Sequence, residues 1–285
     1  MIRRTLIAAS FGMATLLATP AFALNILLTN DDGYNAPGIE AMDSALRSAG
    51  FNVIRFAPSS NRSGSSTSLT FTPVKVVKIA RQVYSADASP AGTVILGTTV
   101  FAPHTDLIVS GINSGANIGP STVVSGTVGA TIAGITQLKR PIPGIAFSTD
   151  LLDSDPASAA NRRHFADVAA FGVRLIKRVT TRDAVTGIGN RQTLNVNYPA
   201  LAPRQVKGVQ VNVQGVSVLF PPAFVQDADG NYVSAARPVQ PAHDVPGSDT
   251  LAFYDGYATV VPLNGDYTAY ARRPALRRSL IGLQP

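Results

Sequence analysis

Two aspartates stand side by side directly after a short apolar run. Asp31 and Asp32 lie in TNDDGYNAPG (29–38), which follows the apolar residues 26–28. Adjacent carboxylates repel each other unless a shared proton or a cation reconciles them, and a hard divalent ion does so through oxygen ligands. The alternative is that one aspartate caps the following turn while the other faces solvent, because successive side chains of a strand point to opposite faces. Taken alone, the motif favours the turn.

Three other loops carry small polar groups that could bind an ion or a phosphate. Ser63 lies in NRSG, Asn113 lies in SGINSGANIG, and SGTVG (125–129) opens a predicted helix. Ser63 and Asn113 are ordinary loop residues by themselves. The third motif indicates more, because free backbone N–H groups and small hydroxyl residues at a helix N-terminus form an anion site.

The scarcity of soft ligands restricts the kind of metal site. The chain has no cysteine and three histidines, which are His104, His164 and His243. Disulfides and thiolate zinc sites are therefore excluded, and a histidine-built transition-metal site is not favoured. Any metal held here must bind to oxygen.

Apolar periodicity predicts an α/β core. Predicted strands cover residues 25–29, 51–57, 74–80, 107–111, 144–148 and 193–198, and predicted helices cover residues 37–49, 127–138 and 161–178. A strand, helix, strand order indicates a mostly parallel sheet. Residues 93–99 stay unassigned between strand and helix. After residue 203 the residue pattern changes to alternating strand-like runs and loop-rich stretches. We therefore predict a β-hairpin-rich extension over residues 204–285, with a strand-like stretch at 251–262.

The polar loops fall where such a sheet places its ligands. In an open α/β sheet the crevice lies beyond the carboxyl ends of the strands. Each of the three loops begins where a predicted strand ends; the loops are residues 30–38, 58–68 and 111–127. We therefore expect these loops to meet at one edge of the core of residues 24–203.

The first 23 residues have the order of a secretory signal. Two arginines precede an apolar run at residues 6–18, and Ala21-Phe22-Ala23 forms a small-residue cleavage site. The run is interrupted and shorter than the ~20 residues that a membrane span needs. We expect cleavage after Ala23, a periplasmic or secreted protein, and no membrane anchor after cleavage.

The charge balance does not point to a polynucleotide. The formal net charge is +7, with 24 lysines and arginines against 17 acidic residues, and the predicted signal accounts for two of the arginines. Basic residues form no longer run than Arg272-Arg273 or Arg277-Arg278. No specific nucleic acid partner is therefore indicated.

Together the polar motifs resemble a known family, the SurE family of metal-dependent 5'/3'-nucleotidases. The motifs are ILLTNDDGYNAPGI (26–39), APSSNRSGSSTSLT (57–70), DLIVSGINSGANIG (106–119) and SGTVGATIAG (125–134). The resemblance implies a Rossmann-like three-layer core and hydrolysis of nucleoside monophosphates, or of other phosphate esters, as a 5'-nucleotidase. It also implies an arm in residues 219–254 that is exchanged between subunits of a homodimer or homotetramer; a surface loop is the alternative.

The resemblance also implies the site residues. One divalent cation per subunit, Mg or Mn, would be held by Asp31, Asp32, Ser63 and Asn113. Phosphate would contact the matching donors, which are Asn30, Gly111, Asn117, Ser125, Gly126 and Thr127. A metal-activated water would then attack the phosphorus, with Asp31 or Asp32 as the candidate proton acceptor.

Two departures from the family pattern leave the substrate open. Residues 88–94 read Ala-Ser-Pro-Ala-Gly-Thr-Val where many members have Gly-Thr-Pro-x-Asp-Cys-Val, and Val124 replaces a usual tyrosine. The first change lies near the expected substrate pocket. A broad acid phosphatase and a non-catalytic nucleotide- or phosphate-binding module are therefore the alternative functions.

Overall fold

The computed structural model describes residues 24–181, 184–221, 223–237 and 239–284. The predicted signal of residues 1–23, with its cleavage site after Ala23, lies outside the described residues. Within the described ranges, no helix has the length and apolar character required to cross a membrane.

A nine-stranded sheet forms the centre of the structure. The strands in chain order are β1 (Asn25–Thr29), β2 (Asn52–Pro58), β3 (Val76–Ala80), β4 (Val83–Ala86), β5 (Leu107–Ser114), β6 (Gly144–Thr149), β7 (Thr193–Tyr198), β8 (Val209–Val211), β9 (Phe224–Gln226), β10 (Tyr232–Ser234) and β11 (Ala258–Leu263). In space the order is β3-β4-β2-β1-β5-β6-β7-β11-β8. Six neighbours in this spatial order run parallel to one another, namely β4, β2, β1, β5, β6 and β7. Strand β3 is antiparallel to β4, and β11 is antiparallel to β7.

Helices cover both faces of the sheet and make three layers. They are α1 (Pro37–Ser48), α2 (Pro90–Leu96), α3 (Ser121–Val124), α4 (Gly126–Thr136), α5 (Ala159–Val179), α6 (Asp249–Tyr254) and α7 (Arg273–Ser279). On one face α1 and α5 pack in an apolar cluster with Leu28 and Phe147. On the other face α2 and α4 pack in a cluster with Leu27 and Phe56. Because β1 is covered on both faces, its apolar residues are continuous rather than alternating.

The predicted α/β class with a mostly parallel sheet is confirmed, and so are the predicted strands at β1, β2, β6 and β7. Residues 93–99 turn out to be helical: α2 continues into one π-helical turn, Gly97–Phe101. The β-branched residues there favour a strand, but Pro90 opens the helix and the Ser89 hydroxyl accepts the Gly92 N–H at 3.1 Å. This N-cap overrides the intrinsic propensity.

Two other predictions need correction. The strand predicted at 107–111 runs on to Ser114, so Asn113 lies within β5 rather than in a loop. The stretch predicted as strand at 251–262 begins as α6, because the Ser248 hydroxyl accepts the Leu251 N–H at 3.2 Å and starts a helix. Only its second half, β11, is a strand.

The sheet continues beyond residue 203. β11 pairs with β7 and β8 pairs with β11, so two strands of the C-terminal segment extend the central sheet. β9 and β10 form a separate hairpin, as expected for a hairpin-rich extension. The domain division at residue 203 stays a prediction.

A buried histidine links α5 to the sheet. His164 is 3% exposed, and its Nε2 lies 2.7 Å from the Thr149 hydroxyl, which donates to the Tyr198 carbonyl at 2.7 Å. Since that hydroxyl proton is already used, the ring must donate from Nε2. Burial lowers the pKa of His164, and the nearby charges of Asp167 and Asp150 offset only part of this effect.

This histidine predicts acid sensitivity. Because its folded pKa lies below the 6.5 of a free histidine, the unfolded chain binds more protons, and stability falls as pH drops below about 6.5. We expect His164→Gln, whose amide can still donate to Thr149, to flatten that fall in urea unfolding measured across pH. The exposed His104 provides the control, His104→Gln, which should follow the wild type. Identical pH profiles for His164→Gln and wild type would contradict this account.

Candidate active site

The turn after β1 is closed by an asparagine, which leaves the two aspartates free. Asn30 donates through Nδ2 to the Gly33 carbonyl at 2.8 Å, and its Oδ1 accepts the Gly33 N–H at 3.3 Å. Gly33 has φ +113°, a value that favours glycine. Neither aspartate is needed as the cap of this turn, so the simple turn interpretation of the acidic pair does not hold. Asn30 itself is committed to the backbone, and its predicted phosphate contact stays a prediction.

Asp31 is fixed by the loop after β2 and by the start of α4. It is 3% exposed, and one carboxylate oxygen accepts the hydroxyl proton of Thr127. Its carbonyl accepts the N–H of Arg62 at 2.7 Å. Gly126 lies so close that an added Cβ would be 2.8 Å from the Asp31 Cβ, so only glycine fits there.

Asp32 is held by β5, the strand beside β1. The Ser114 N–H donates to its Oδ2 at 3.2 Å and the Ser114 hydroxyl to its Oδ1 at 3.3 Å. The preceding residue, Asn113, turns its Nδ2 to the Gly115 carbonyl at 2.7 Å. Its Oδ1 accepts no hydrogen bond from any described residue, which leaves this amide oxygen available for a ligand.

The two carboxylates lack positive partners. Burial raises the pKa of Asp31, although the hydrogen bond from Thr127 acts against this rise. Burial, and after it the charge of Asp31, raises the pKa of Asp32 to about 6. Within the described part of the chain, no lysine or arginine forms an ion pair with either aspartate. Two like charges in a poorly solvated place favour a cation.

The donor set fits a hard cation rather than a soft one. No group of three or more histidine, cysteine or acidic residues occurs among the described residues. The candidate set has two carboxylates, which Ser63 and Asn113 would complete with neutral oxygens. Ser63 is exposed and follows Arg62 in the chain, and its N–H donates to Asn61 Oδ1 at 2.7 Å. Such all-oxygen sets are typical of Mg or Mn.

The predicted phosphate residues divide into two groups. Ser125, Gly126 and Thr127 form the N-terminus of α4, where the Ser125 hydroxyl accepts the Val128 N–H at 3.2 Å. The N–H groups of this first helical turn have no partner within the helix, and they lie beside Asp31. This placement agrees with an anion site, whose use by phosphate stays a prediction.

Gly111 and Asn117 are engaged within the protein. An added Cβ on Gly111 would overlap the carbonyl oxygen of Phe147, so this glycine is required for strand packing. The Asn117 Nδ2 donates to the Ser148 hydroxyl at 2.8 Å, and its N–H donates to Asn197 Oδ1 at 2.7 Å. These bonds anchor the loop after β5 to β6 and β7, and direct contact of either residue with phosphate stays a prediction.

Two residues that the sequence did not single out belong to the site. Ser114 holds Asp32, as described above. Ser65 has a buried hydroxyl with no hydrogen-bond partner among the described residues, and its Oγ lies 2.5 Å from where a Cβ on Gly126 would be. Buried hydroxyls in folded proteins usually have a hydrogen-bond partner, so this one is a candidate position for a ligand contact. The loop 58–70 contains several serines, and nothing in the sequence distinguishes this one.

Known proteins share both the sequence and the fold. A family model described as Survival protein SurE matches residues 26–219. The 5'-nucleotidase SurE of Aquifex aeolicus is 38% identical over 251 residues, covering 86% of this chain and 93% of the relative. That of Legionella pneumophila is 34% identical over 250 residues, covering 87% and 93%. The crystal structure of the SurE protein from Aquifex aeolicus superposes with a TM-score of 0.74 at 35% identity, covering 90% of this chain and 99% of that one.

The hydroxyl of Thr127 should stabilise the buried Asp31. Thr127→Val keeps the side-chain shape and leaves the carboxylate oxygen without its donor, so we expect the free energy of unfolding to fall by about 1–3 kcal/mol. Thr127→Ser keeps the hydroxyl and serves as the matched control. Denaturant unfolding measures both variants, and a Thr127→Val protein as stable as Thr127→Ser would show that this hydrogen bond contributes little.

Proposed function

The chain belongs to the SurE family, and from this premise we propose that it is a phosphomonoesterase that hydrolyses nucleoside monophosphates to nucleoside and phosphate. The relatives that match over most of their length are named 5'-nucleotidases. The observation that carries the proposal is the pair Asp31 and Asp32, which is poorly solvated, has no ion-pair partner in the described chain and lies beside the N-terminus of α4.

The metal in this proposal is one Mg or Mn ion per subunit. Asp31, Asp32, Ser63 and Asn113 would hold it. When bound, such an ion neutralises the two carboxylates, polarises a phosphoryl group and lowers the pKa of a coordinated water. The aspartates form no ion pair with a lysine or arginine of the described residues, which supports this assignment, because such a pair would compete with the ion.

The protein groups orient the substrate in this proposal. The N-terminus of α4 and the hydroxyl of Ser65, which packs against Gly126, would donate to the phosphate oxygens. Thr127 fixes Asp31 and Ser114 fixes Asp32, so that neither carboxylate rotates when the phosphate binds. Asp31 and Asp32 both remain candidates for taking the proton of the attacking water.

Export and assembly complete the proposal. Residues 1–23 would direct the chain to the periplasm or the medium. The β9–β10 hairpin would be the arm of a homodimer or homotetramer, and its exposed Phe224 and Tyr232, at 67% and 73% exposure, support this role.

Activity should depend on both the metal and the aspartates. We expect chelator-treated protein to release no phosphate from 5'-AMP until Mg or Mn is restored. Asp31→Asn and Asp32→Asn should each lower kcat/KM more than about a hundredfold, since each removes a charged ligand. Asp255→Asn is the control, because Asp255 lies on the surface paired with Lys207 at 2.6 Å. Turnover like that of the wild type in the double variant would refute the proposal.

Metal binding should also reverse the difference in Tm that we expect between the metal-free wild type and metal-free Asp32→Asn. In metal-free protein at pH 8, Asp32→Asn removes one of two neighbouring like charges, and the Ser114 hydroxyl can accept from the new amide. We therefore expect the metal-free variant to unfold at a higher temperature than the metal-free wild type. Adding Mn should raise the Tm of the wild type more than that of the variant. Equal Mn-induced shifts would show that Asp32 is not a ligand.

A further inference from the structure

A cavity of about 520 Å³ is bordered by Arg62, whose N–H contacts the Asp31 carbonyl. Its walls come from the loop after β2 and from the segment that leads into α2. Ser65, whose unpaired hydroxyl approaches Gly126, lines this cavity as well. Through Ser65 the wall of the cavity also packs against the N-terminus of α4, and the cavity volume is in the range of small-molecule pockets.

One wall presents a flat aromatic ring. Phe71 lines the cavity and is 90% exposed, the most exposed of the large apolar side chains in the described chain. It belongs to none of the apolar clusters of the described residues. Aromatic rings offer a stacking surface to any nucleobase, because every base has a π face.

An ion pair also lines this cavity. Arg62 Nη2 donates to Asp87 Oδ1 at 2.6 Å, and the Arg62 N–H is the group that binds the Asp31 carbonyl. Asp87 Oδ2 accepts no hydrogen bond from the described residues. In Rossmann-type dinucleotide-binding proteins an acidic side chain accepts the hydrogen bond of a ribose hydroxyl, and Asp87 Oδ2 could do the same.

We propose that this cavity holds the nucleoside of the substrate, with the base on Phe71 and a ribose hydroxyl on Asp87 Oδ2. Arg62 orients Asp87 and connects the nucleoside pocket to the loop that contacts Asp31. The inference rests on the proposed function and deepens it: Phe71 and Asp87 select ribonucleotides over phosphate esters of small alcohols and over deoxynucleotides.

A neighbouring cavity fits this role less well. It has a volume of about 310 Å³ and is lined by Thr67, Val123 and Tyr267 near α4. Neither Ser65 nor Arg62 borders it. A nucleoside placed there would lack the direct connection to the aspartates that these two residues give to the cavity beside Phe71.

Steady-state kinetics with a substrate series test the proposal. Phe71→Ala and Asp87→Asn should each raise KM for 5'-AMP about tenfold, as expected for the loss of one stacking or polar contact of ordinary strength, with little change in kcat. KM for glycerol phosphate, which has no base or ribose, should not change. The wild type should prefer 5'-AMP over its 2'-deoxy or 3'-deoxy form, and Asp87→Asn should lose that preference.

Controls separate this inference from the proposed function. Val211→Ala alters a side chain of comparable exposure (78%) on β8, at the opposite edge of the sheet, and should leave every KM unchanged. Calorimetric titration with adenosine measures binding to the cavity in the absence of hydrolysis. Phe71→Ala should raise the Kd of adenosine about tenfold. Equal KM changes for 5'-AMP and glycerol phosphate, or unchanged adenosine binding, would overturn the nucleoside site. Failure of the wild type to hydrolyse any ester would refute the proposed function instead.

Discussion

The repulsion between two neighbouring carboxylates is the constraint around which this edge of the molecule is built. Asp31 and Asp32 are held in a poorly solvated position, and every described group that contacts them is neutral. Their turn is closed by Asn30, so neither aspartate is used up by the backbone. Hydroxyl and N–H donors fix the orientation of both side chains without cancelling their charge. The result is a site with fixed geometry and uncompensated negative charge.

The sheet topology determines which residues can reach that charge. The chain leaves β1 towards β2 on one side and later returns to β5 on the other, so the strand order changes direction between β1 and β5. Loops leaving the carboxyl ends of adjacent strands separate at such a point and open a crevice. The loop after β2 brings Arg62 to Asp31, β5 brings Ser114 to Asp32, and α4 begins directly beside Asp31. Three distant segments thus meet at one position.

The helices and strands around the site can be predicted from the sequence better than the individual side-chain contacts within it. Strand β1 and helix α5 follow from apolar periodicity, because burial on two faces or on one stripe leaves a direct trace in residue type. Helix α2 does not, since a single cap at Ser89 outweighs several β-branched residues. Ser65 could not be separated from its neighbouring serines, because only the folded chain shows which hydroxyl is buried without a partner. Long-range pairing, as between Ser114 and Asp32, leaves no local pattern.

Neutral asparagine side chains, rather than charged ones, hold the loop after β5 in place. Asn117, Asn195 and Asn197 connect the loop after β5 to β7 through amide hydrogen bonds, and all three are buried. An ion pair could also hold this loop, but a lysine or arginine this close would lower the affinity for a metal cation by satisfying the same carboxylates. Amides provide the rigidity without the charge. Arg62, whose N–H contacts the Asp31 carbonyl, has its side chain paired with Asp87 instead; in the proposed function it would serve the organic part of a substrate and leave the aspartates to the cation.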